Sequence, residues 1–167
     1  MPKTAAMNTI IVTGGAGFIG STLVRLLLGE SHARIINVDS LTYASDLRSL
    51  DAAMRDPRHV FEHIDIRDRP AVRRLFTQHR PDAVVHLAAE SHVDRSIDAP
   101  AAFVETNVVG TYNLLDAALD YWKGLDPQRR ERFRFHHVST DEVFGSLGPT
   151  GLFSETTRYA PNSPYAA

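Results

Sequence analysis

Thr9-Ile10-Ile11-Val12 leads through Thr13 into Gly14-Gly15-Ala16-Gly17-Phe18-Ile19-Gly20. Four such residues bounded by glycine predict a short buried strand, because the run makes a poor helix. The glycines fit G-x-x-G-x-x-G through Gly14, Gly17 and Gly20, and G-x-G-x-x-G through Gly15, Gly17 and Gly20. Beyond them Phe18, Ile19, Leu23, Val24, Leu26 and Leu27 recur at helical spacing, with Gly29 as the predicted stop. Strand, glycine turn and helix start together suit a pyrophosphate. Its oxygens can approach bare backbone, and the helix opens with free N–H groups and a positive dipole end. Asp39 follows Gly17 by 22 residues and closes the next apolar run, where a carboxylate can accept ribose hydroxyls. No Arg adjoins it, and a 2′-phosphate there would meet a like charge, so NAD is expected rather than NADP. The plainer alternative is a tight turn with a solvated Asp.

The same alternation continues. Residues 34–38 read as a second strand, and a loop with a short helix around 46–54 leads to a third strand near 60–64. Ala71, Val72, Leu75 and Phe76 mark a helix that Pro81 ends. Residues 83–87 predict a fourth strand, 101–122 a long helix and 133–139 a fifth strand. No hairpin signal separates the strands, so the crossovers are parallel and helices cover both faces of the sheet. The expected fold class is α/β, a doubly wound parallel sheet of Rossmann type. Ligands in such sheets bind beyond the carboxyl ends of the strands, so chemistry is expected after residues 12, 38, 64, 87 and 139.

A chain of 167 residues suits one domain. The expected division is a short frayed arm at 1–8, with Met7 as an alternative start, and a dinucleotide-binding domain at 9–167. Hydrophobic residues make up 43% and charged residues 23%, which argues against collagen, a coiled coil and wholesale disorder. Eighteen Lys+Arg against twenty Asp+Glu leave a net charge of -2, which implies no general attraction to nucleic acid. The arginines at 67, 69, 73, 74 and 80, and at 129, 130, 132 and 134, are expected on solvated faces. Cysteine is absent, which excludes disulfides, thiolate nucleophiles and Cys-ligated zinc. Eight His occur without H-E-x-x-H, and no G-x-S-x-G appears, so neither a metal centre nor a serine hydrolase is expected. No apolar run approaches the roughly 20 residues that cross a bilayer, and Met1 to Asn8 lacks the apolar core of a signal peptide. A cytoplasmic protein is expected.

Each strand end offers candidates. Asp65-Ile66 is placed to reach an adenine, or Asp65 is only a turn acid. Leu87-Ala88-Ala89 is small enough for its backbone to lie against a cofactor, and Thr106 and Asn107 on the long helix can face the nicotinamide half. His92 serves either loop hydrogen bonding or substrate contact, while His136 and His137 point to opposite sheet faces. Ser139-Thr140-Asp141-Glu142 ends the fifth strand with adjacent carboxylates. That pair suits a general acid beside a general base; equally, Thr or Asp is a helix N-cap. Tyr165 stands 25 residues after Thr140. A phenol with a pKa near 10 needs a nearby cation to act as a base at pH 7. A Lys at i+4 would share its helix face, and that position, 169, lies past the last residue of the sequence.

These residues carry a resemblance. Thr13-Gly-Gly-Ala-Gly-Phe-Ile-Gly-Ser21, Val38-Asp-Ser-Leu-Thr-Tyr-Ala44, His86-Leu-Ala-Ala-Glu-Ser-His-Val-Asp-Arg-Ser-Ile97, Glu105-Thr-Asn-Val-Val-Gly-Thr-Tyr112, His137-Val-Ser-Thr-Asp-Glu-Val143 and Ser163-Pro-Tyr165 resemble the amino-terminal half of the extended short-chain dehydrogenase/reductase family. The glycine turn marks the superfamily. The segment from Glu90 to Ile97 and the Thr-Asp-Glu triplet resemble its nucleotide-sugar 4,6-dehydratases, lyases acting on a hexose such as dTDP-glucose. The resemblance implies that Tyr165 takes the proton of the sugar 4-hydroxyl, with Thr140 bonding that oxygen. It implies that Asp141 protonates the departing 6-hydroxyl and that Glu142 removes the C5 proton. It implies that Phe18, Ile19, Asp39, Ser40, Leu41, Thr42, Asp65, Ile66, Leu87, Ala88, Ala89, Glu90, Ser91 and Thr106 line NAD, with Ser91 also touching substrate. Asp141 and Glu142 are adjacent as C5 and C6 are adjacent. A 4-epimerase or decarboxylase of the same family, which needs no such pair, and a dinucleotide-binding module without turnover are the alternatives.

Three features depart from the family pattern. The Lys after Tyr165 and the carboxyl-terminal lobe that holds most of the nucleotide are not in the sequence, and Phe144 stands where members often have Tyr. Weak NAD binding and little turnover are therefore expected of these 167 residues. The long helix resembles half of the bundle through which family members form homodimers. An exposed apolar strip on it is expected here.

Overall fold

A computed structural model describes residues 9–167; the arm expected at 1–8 lies outside the described residues. Five parallel strands form one sheet: β1 (Thr9–Thr13), β2 (Arg34–Asp39), β3 (His59–His63), β4 (Ala83–His86) and β5 (Arg134–His137), in the order β3-β2-β1-β4-β5. The chain therefore builds outward from β1 in one direction and returns to build in the other. The crevice between β1 and β4 is the point where that order reverses.

Alternation along the strands divides the core in two. Ile11, Ile36, Val38 and Val84 face one layer with Val72, Leu75, Phe76, Leu114, Ala117 and Ala118. That layer comprises helices α2 (Arg69–His79) and α5 (Thr111–Lys123). Ile10, Val12 and Ile35 face the other layer, where α1 (Phe18–Glu30) supplies Val24 and Leu28. Fully burying one such side chain stabilises the fold by about 1.5–3 kcal/mol.

The helix ends have local causes. Asp68 caps α2 by accepting from Ala71 N–H at 3.0 Å. Arg80 then turns left-handed at φ 47, just before Pro81, which has no N–H with which to continue. Gly29 does not stop α1. The helix runs through it to Glu30, and Ser31 ends it by donating its N–H to Leu27 O at 3.1 Å. An exposed glycine costs a helix only about 1 kcal/mol, less than the packing of Val24 and Leu28 contributes.

Other boundaries also moved. The helix expected at 46–54 is two short 3₁₀ turns, Leu47–Leu50 and Ala53–Arg55. The long helix starts at α4 (Pro100–Phe103) and continues through a π-helical turn, Val104–Gly110, into α5. Two short helices were not anticipated: α3 (Val93–Asp98) and α6 (Pro127–Arg132). The second carries an Asp126 cap and a proline start, a readable signal. Most of the arginines are exposed as expected, Arg69 and Arg73 pairing with Asp116 of α5 at the surface; Arg129 is half-buried and donates to Arg80 O, Tyr121 Oη and Asp82 Oδ1. Among the described residues, no helix is long and apolar enough to cross a membrane.

Candidate active site

A cleft of about 540 Å³ opens at the carboxyl ends of the strands, walled by the ends of β2 and β5 and by the loops that follow all five strands. Its floor is the glycine turn. Gly14 has φ +72, and a Cβ there would lie 2.7 Å from Ala88 N, so only glycine lets the two strand ends approach this closely. At Gly20 a Cβ would collide with the Gly14 carbonyl, which accepts from Gly17 N–H at 3.1 Å. Gly17 precedes α1 without a capping side chain. The first-turn N–H groups of Phe18, Ile19 and Gly20, which have no partner within the helix, thus stand at the cleft.

Asp39 lines the cleft and is 6% exposed. Its Oδ2 accepts from Ala16 N–H at 2.9 Å; its Oδ1 accepts from Leu41 N–H at 2.8 Å and from Ser45 Oγ at 2.7 Å. A carboxylate offers about four acceptor positions. Three are occupied by the chain itself, which leaves about one for a ligand hydroxyl. Leu41 does not line the cleft. Its backbone is left-handed at φ 55 and its side chain packs against the α1 side of the core.

The neighbouring walls are held by polar ties. Arg67 grips Asp65 through Nη2 at 2.6 Å and Nε at 3.0 Å, and this guanidinium holds the Asp65 carboxyl below the usual range. Arg67 is exposed, as expected, and also lines the cleft; its place two residues after Asp65 is the signal that marks it. Asn107 lies in the π turn and clamps the loop after β4. Its Oδ1 accepts from Glu90 N–H at 2.8 Å and its Nδ2 donates to Glu90 O at 2.9 Å. One N–H and one lone pair of the amide are engaged by that loop, which leaves one of each at the cleft. A π turn shifts the helix register by a residue, and this one leaves Thr106, Asn107 and Thr111 all on the cleft.

Gly14, Gly17, Phe18, Ile19, Gly20, Asp39, Ser40, Thr42, Asp65, Ile66, Leu87, Ala88, Ala89, Ser91, Thr106, Thr140 and Tyr165 all line the cleft. They come from seven stretches of sequence. Asp141 and Glu142 do not line it. They are exposed in a 3₁₀ turn, Asp141–Phe144, that Thr140 caps by accepting from Glu142 N–H at 3.2 Å. The capping alternative is therefore realised, with both carboxylates exposed in the turn that follows Thr140. Tyr165 sits in a turn closed by Ala166 N–H to Ser163 O at 3.1 Å. Phe144 stacks on Tyr159, with ring centres 5.5 Å apart.

Behind the wall lies a group that pattern reading passed over. His86 ends β4 and is 1% exposed. Burial, then the neighbouring His137 ring, pushes it down from 6.5 to about 4. A histidine ending an apolar strand was the available signal. His137 itself lines the cleft.

Comparison with known proteins agrees with this architecture. The family model described as GDP-mannose 4,6 dehydratase matches residues 11–167. The dTDP-glucose 4,6-dehydratase 1 of Escherichia coli K12 is 57% identical over 167 residues, covering 95% of this chain and 46% of that protein. That of Neisseria meningitidis is 56% identical over 162 residues, covering 96% and 46%. A dTDP-glucose 4,6-dehydratase from Streptomyces venezuelae, solved with NAD bound, superposes with a TM-score of 0.83 at 46% identity over 95% of this chain and 47% of that one. A UDP-glucose 4-epimerase from Thermotoga maritima gives 0.79 at 33% identity, over 95% and 46%. The chain spans a little under half the length of the curated relatives it matches. With that match running from β1 to the last residue, the chain belongs to the GDP-mannose 4,6 dehydratase family and corresponds to the amino-terminal half of its dTDP-glucose 4,6-dehydratases.

Proposed function

We propose that residues 9–167 are the NAD-binding domain and acid–base half of a dTDP-glucose 4,6-dehydratase, a lyase that converts dTDP-glucose to its 4-keto-6-deoxy sugar. The observation that carries this reading is the glycine turn, set against Ala88 and flanked by Asp39, at the mouth of a cleft that also holds Thr140 and Tyr165. The cleft suits a dinucleotide: its floor is bare backbone, uncapped N–H groups meet a pyrophosphate, and Asp39 retains room for a ribose hydroxyl. Bound there, NAD would accept the hydride lost from C4 and would return it to C6 once water has left, reducing the enone as C5 regains its proton.

The side chains then divide the work. Tyr165 takes the 4-hydroxyl proton while Thr140 bonds the same oxygen. The C4 ketone so formed makes C5–H acidic, because its carbanion is an enolate. Glu142 removes that proton, and Asp141 protonates the 6-hydroxyl so that it leaves as water. The two carboxylates follow Thr140, which lines the cleft, and are exposed to an incoming sugar. The whole cycle is redox-neutral, so the cofactor has no need to exchange.

A cytoplasmic setting, where dinucleotides and nucleotide sugars are held, fits this reading, as does assembly as a homodimer. Nucleic acid and metal have no role in it. The Asp141–Glu142 pair favours dehydration over 4-epimerisation, which eliminates nothing. Titration calorimetry on the chain should give saturable heat with NAD and less with NADP; no heat with either ends the proposal. For the elimination, the informative variant is Asp141→Asn, made in a version continued through the family's second lobe. It should stop water loss while C4 oxidation persists as absorbance of reduced nicotinamide. Equal loss of both steps removes the role given to Asp141. Loss of both alternatives, binding and turnover, would leave only a folded sheet.

A further inference from the structure

The buried His86 ring joins three pieces of the cleft wall. Its Nδ1 lies 2.7 Å from Thr13 Oγ1, at the end of β1 and just before Gly14. Its Nε2 lies 2.9 Å from Thr111 Oγ1, at the start of α5. Thr13 Oγ1 also accepts from the N–H groups of Leu87 and Ala88, each at 3.2 Å. A hydroxyl has two acceptor lone pairs and one hydrogen. Ala88 N–H takes one lone pair and Leu87 N–H, shared with Thr13 O at 3.2 Å, leans on the other, which directs the hydrogen of Thr13 to His86 Nδ1. Nδ1 is then an acceptor, so the ring proton sits on Nε2 and is donated to Thr111. The connectivity favours this neutral tautomer. A protonated ring would turn a second N–H toward Thr13, in competition with the two backbone donors already there.

These groups bear on the site because of where they pull. Leu87 and Ala88 form the edge that lies against the glycine turn, with no space for even a methyl on Gly14. Thr111 and Ala88 both line the cleft. We propose that Thr13 and His86 are positioning residues for the dinucleotide: the relay Ala88 N–H to Thr13 to His86 to Thr111 sets the gap between the β4 edge, the glycine turn and the long helix. The inference rests on the dinucleotide reading above and assigns the spacing of that site to Thr13 and His86, neither of which lines the cleft.

Two measurements test it on the whole 167-residue chain. Nitrogen NMR of ¹⁵N-histidine-labelled protein at pH 7, without ligand, should show His86 neutral, with an acceptor-type Nδ1 and a protonated Nε2. Thr13→Val should shift the Nδ1 resonance, and Thr13→Ser should return it. Calorimetry should then find NAD about fivefold to tenfold weaker for Thr13→Val, the equivalent of about one neutral hydrogen bond, with Thr13→Ser restoring most of the affinity. Should Thr13→Val fail to fold, Thr111→Val acts from the other side of the ring, shifting Nε2 and weakening NAD in the same sense. A protonated ring, or the Nδ1–H tautomer, overturns the relay whatever the ligand does. Unchanged NAD affinity in Thr13→Val and Thr111→Val, with wild type binding, overturns the positioning role alone. Wild type giving no heat overturns the dinucleotide reading and the positioning role with it, while the tautomer result stands on its own.

Discussion

Asp39 Oδ2 accepts a hydrogen bond from Ala16 N–H at 2.9 Å, so the acid that closes β2 holds the middle of the glycine turn in place. The same carboxylate holds Leu41 N–H and Ser45 Oγ. Asp39→Asn replaces one acceptor oxygen with a donor that faces donors. Urea unfolding of this variant should show a loss of about 1–3 kcal/mol without any ligand present. A variant as stable as wild type would mean that these three bonds do not hold the turn.

Gly20 and Gly29 share one helix and should respond oppositely to alanine. At Gly20 the new methyl would strike the Gly14 carbonyl and the Gly15 Cα, both backbone. Gly20→Ala should cost about 1–3 kcal/mol. At Gly29 nothing lies within 4 Å, and Gly29→Ala should add about 0.5–1 kcal/mol. Thermal melts of the two variants beside wild type decide both.

His86 makes stability depend on pH. An unfolded His titrates near 6.5, whereas in the fold this ring is held down to about 4. Above pH 6.5 both states are neutral and the full stability is present. As pH falls below 6.5, the unfolded chain takes up a proton that the folded ring refuses, so stability drops until about pH 4. The shift corresponds to about 3 kcal/mol in all, with roughly 2 kcal/mol lost by pH 5. His59 and His137 are also lowered by burial and act in the same direction. Denaturant midpoints from pH 7.5 to 5 should fall less steeply in His86→Gln than in wild type.

Val108, Tyr112, Leu115 and Leu119 are all exposed along the π turn and α5. Their spacing of four, three and four makes a seam suited to another helix. Trp122 extends it at the edge of exposure. The chain should self-associate, with a sedimentation-derived mass that rises with concentration. Leu115→Glu should return it towards monomer. A wild-type monomer at all concentrations would mean that the strip is tolerated in water.

Much of the fold was legible because its signals are local. The strand periods, the apolar stripe of α1, the proline after α2 and the glycine turn each operate within a dozen residues. The misplaced stop at Gly29 shows where local reading stops working: packing of Val24 and Leu28 outweighs a modest propensity. The π turn left no local signal at all, since Val104–Gly110 reads like ordinary helix. The Asp141–Glu142 pair stayed ambiguous because capping and acid–base chemistry call on the same residue types in the same places.

By itself, the order of residues determined an alternating α/β chain with a phosphate-sized glycine turn and an acid one strand later. These follow from side-chain period and backbone freedom, which are properties of short segments. Only the tertiary structure decided how the acceptors of Asp39 are shared and that Arg67 joins the cleft wall. It alone placed the His86 ring between the hydroxyls of Thr13 and Thr111. Each of those depends on partners 2 to 75 residues apart in the chain, brought within hydrogen-bond distance by the strand order β3-β2-β1-β4-β5.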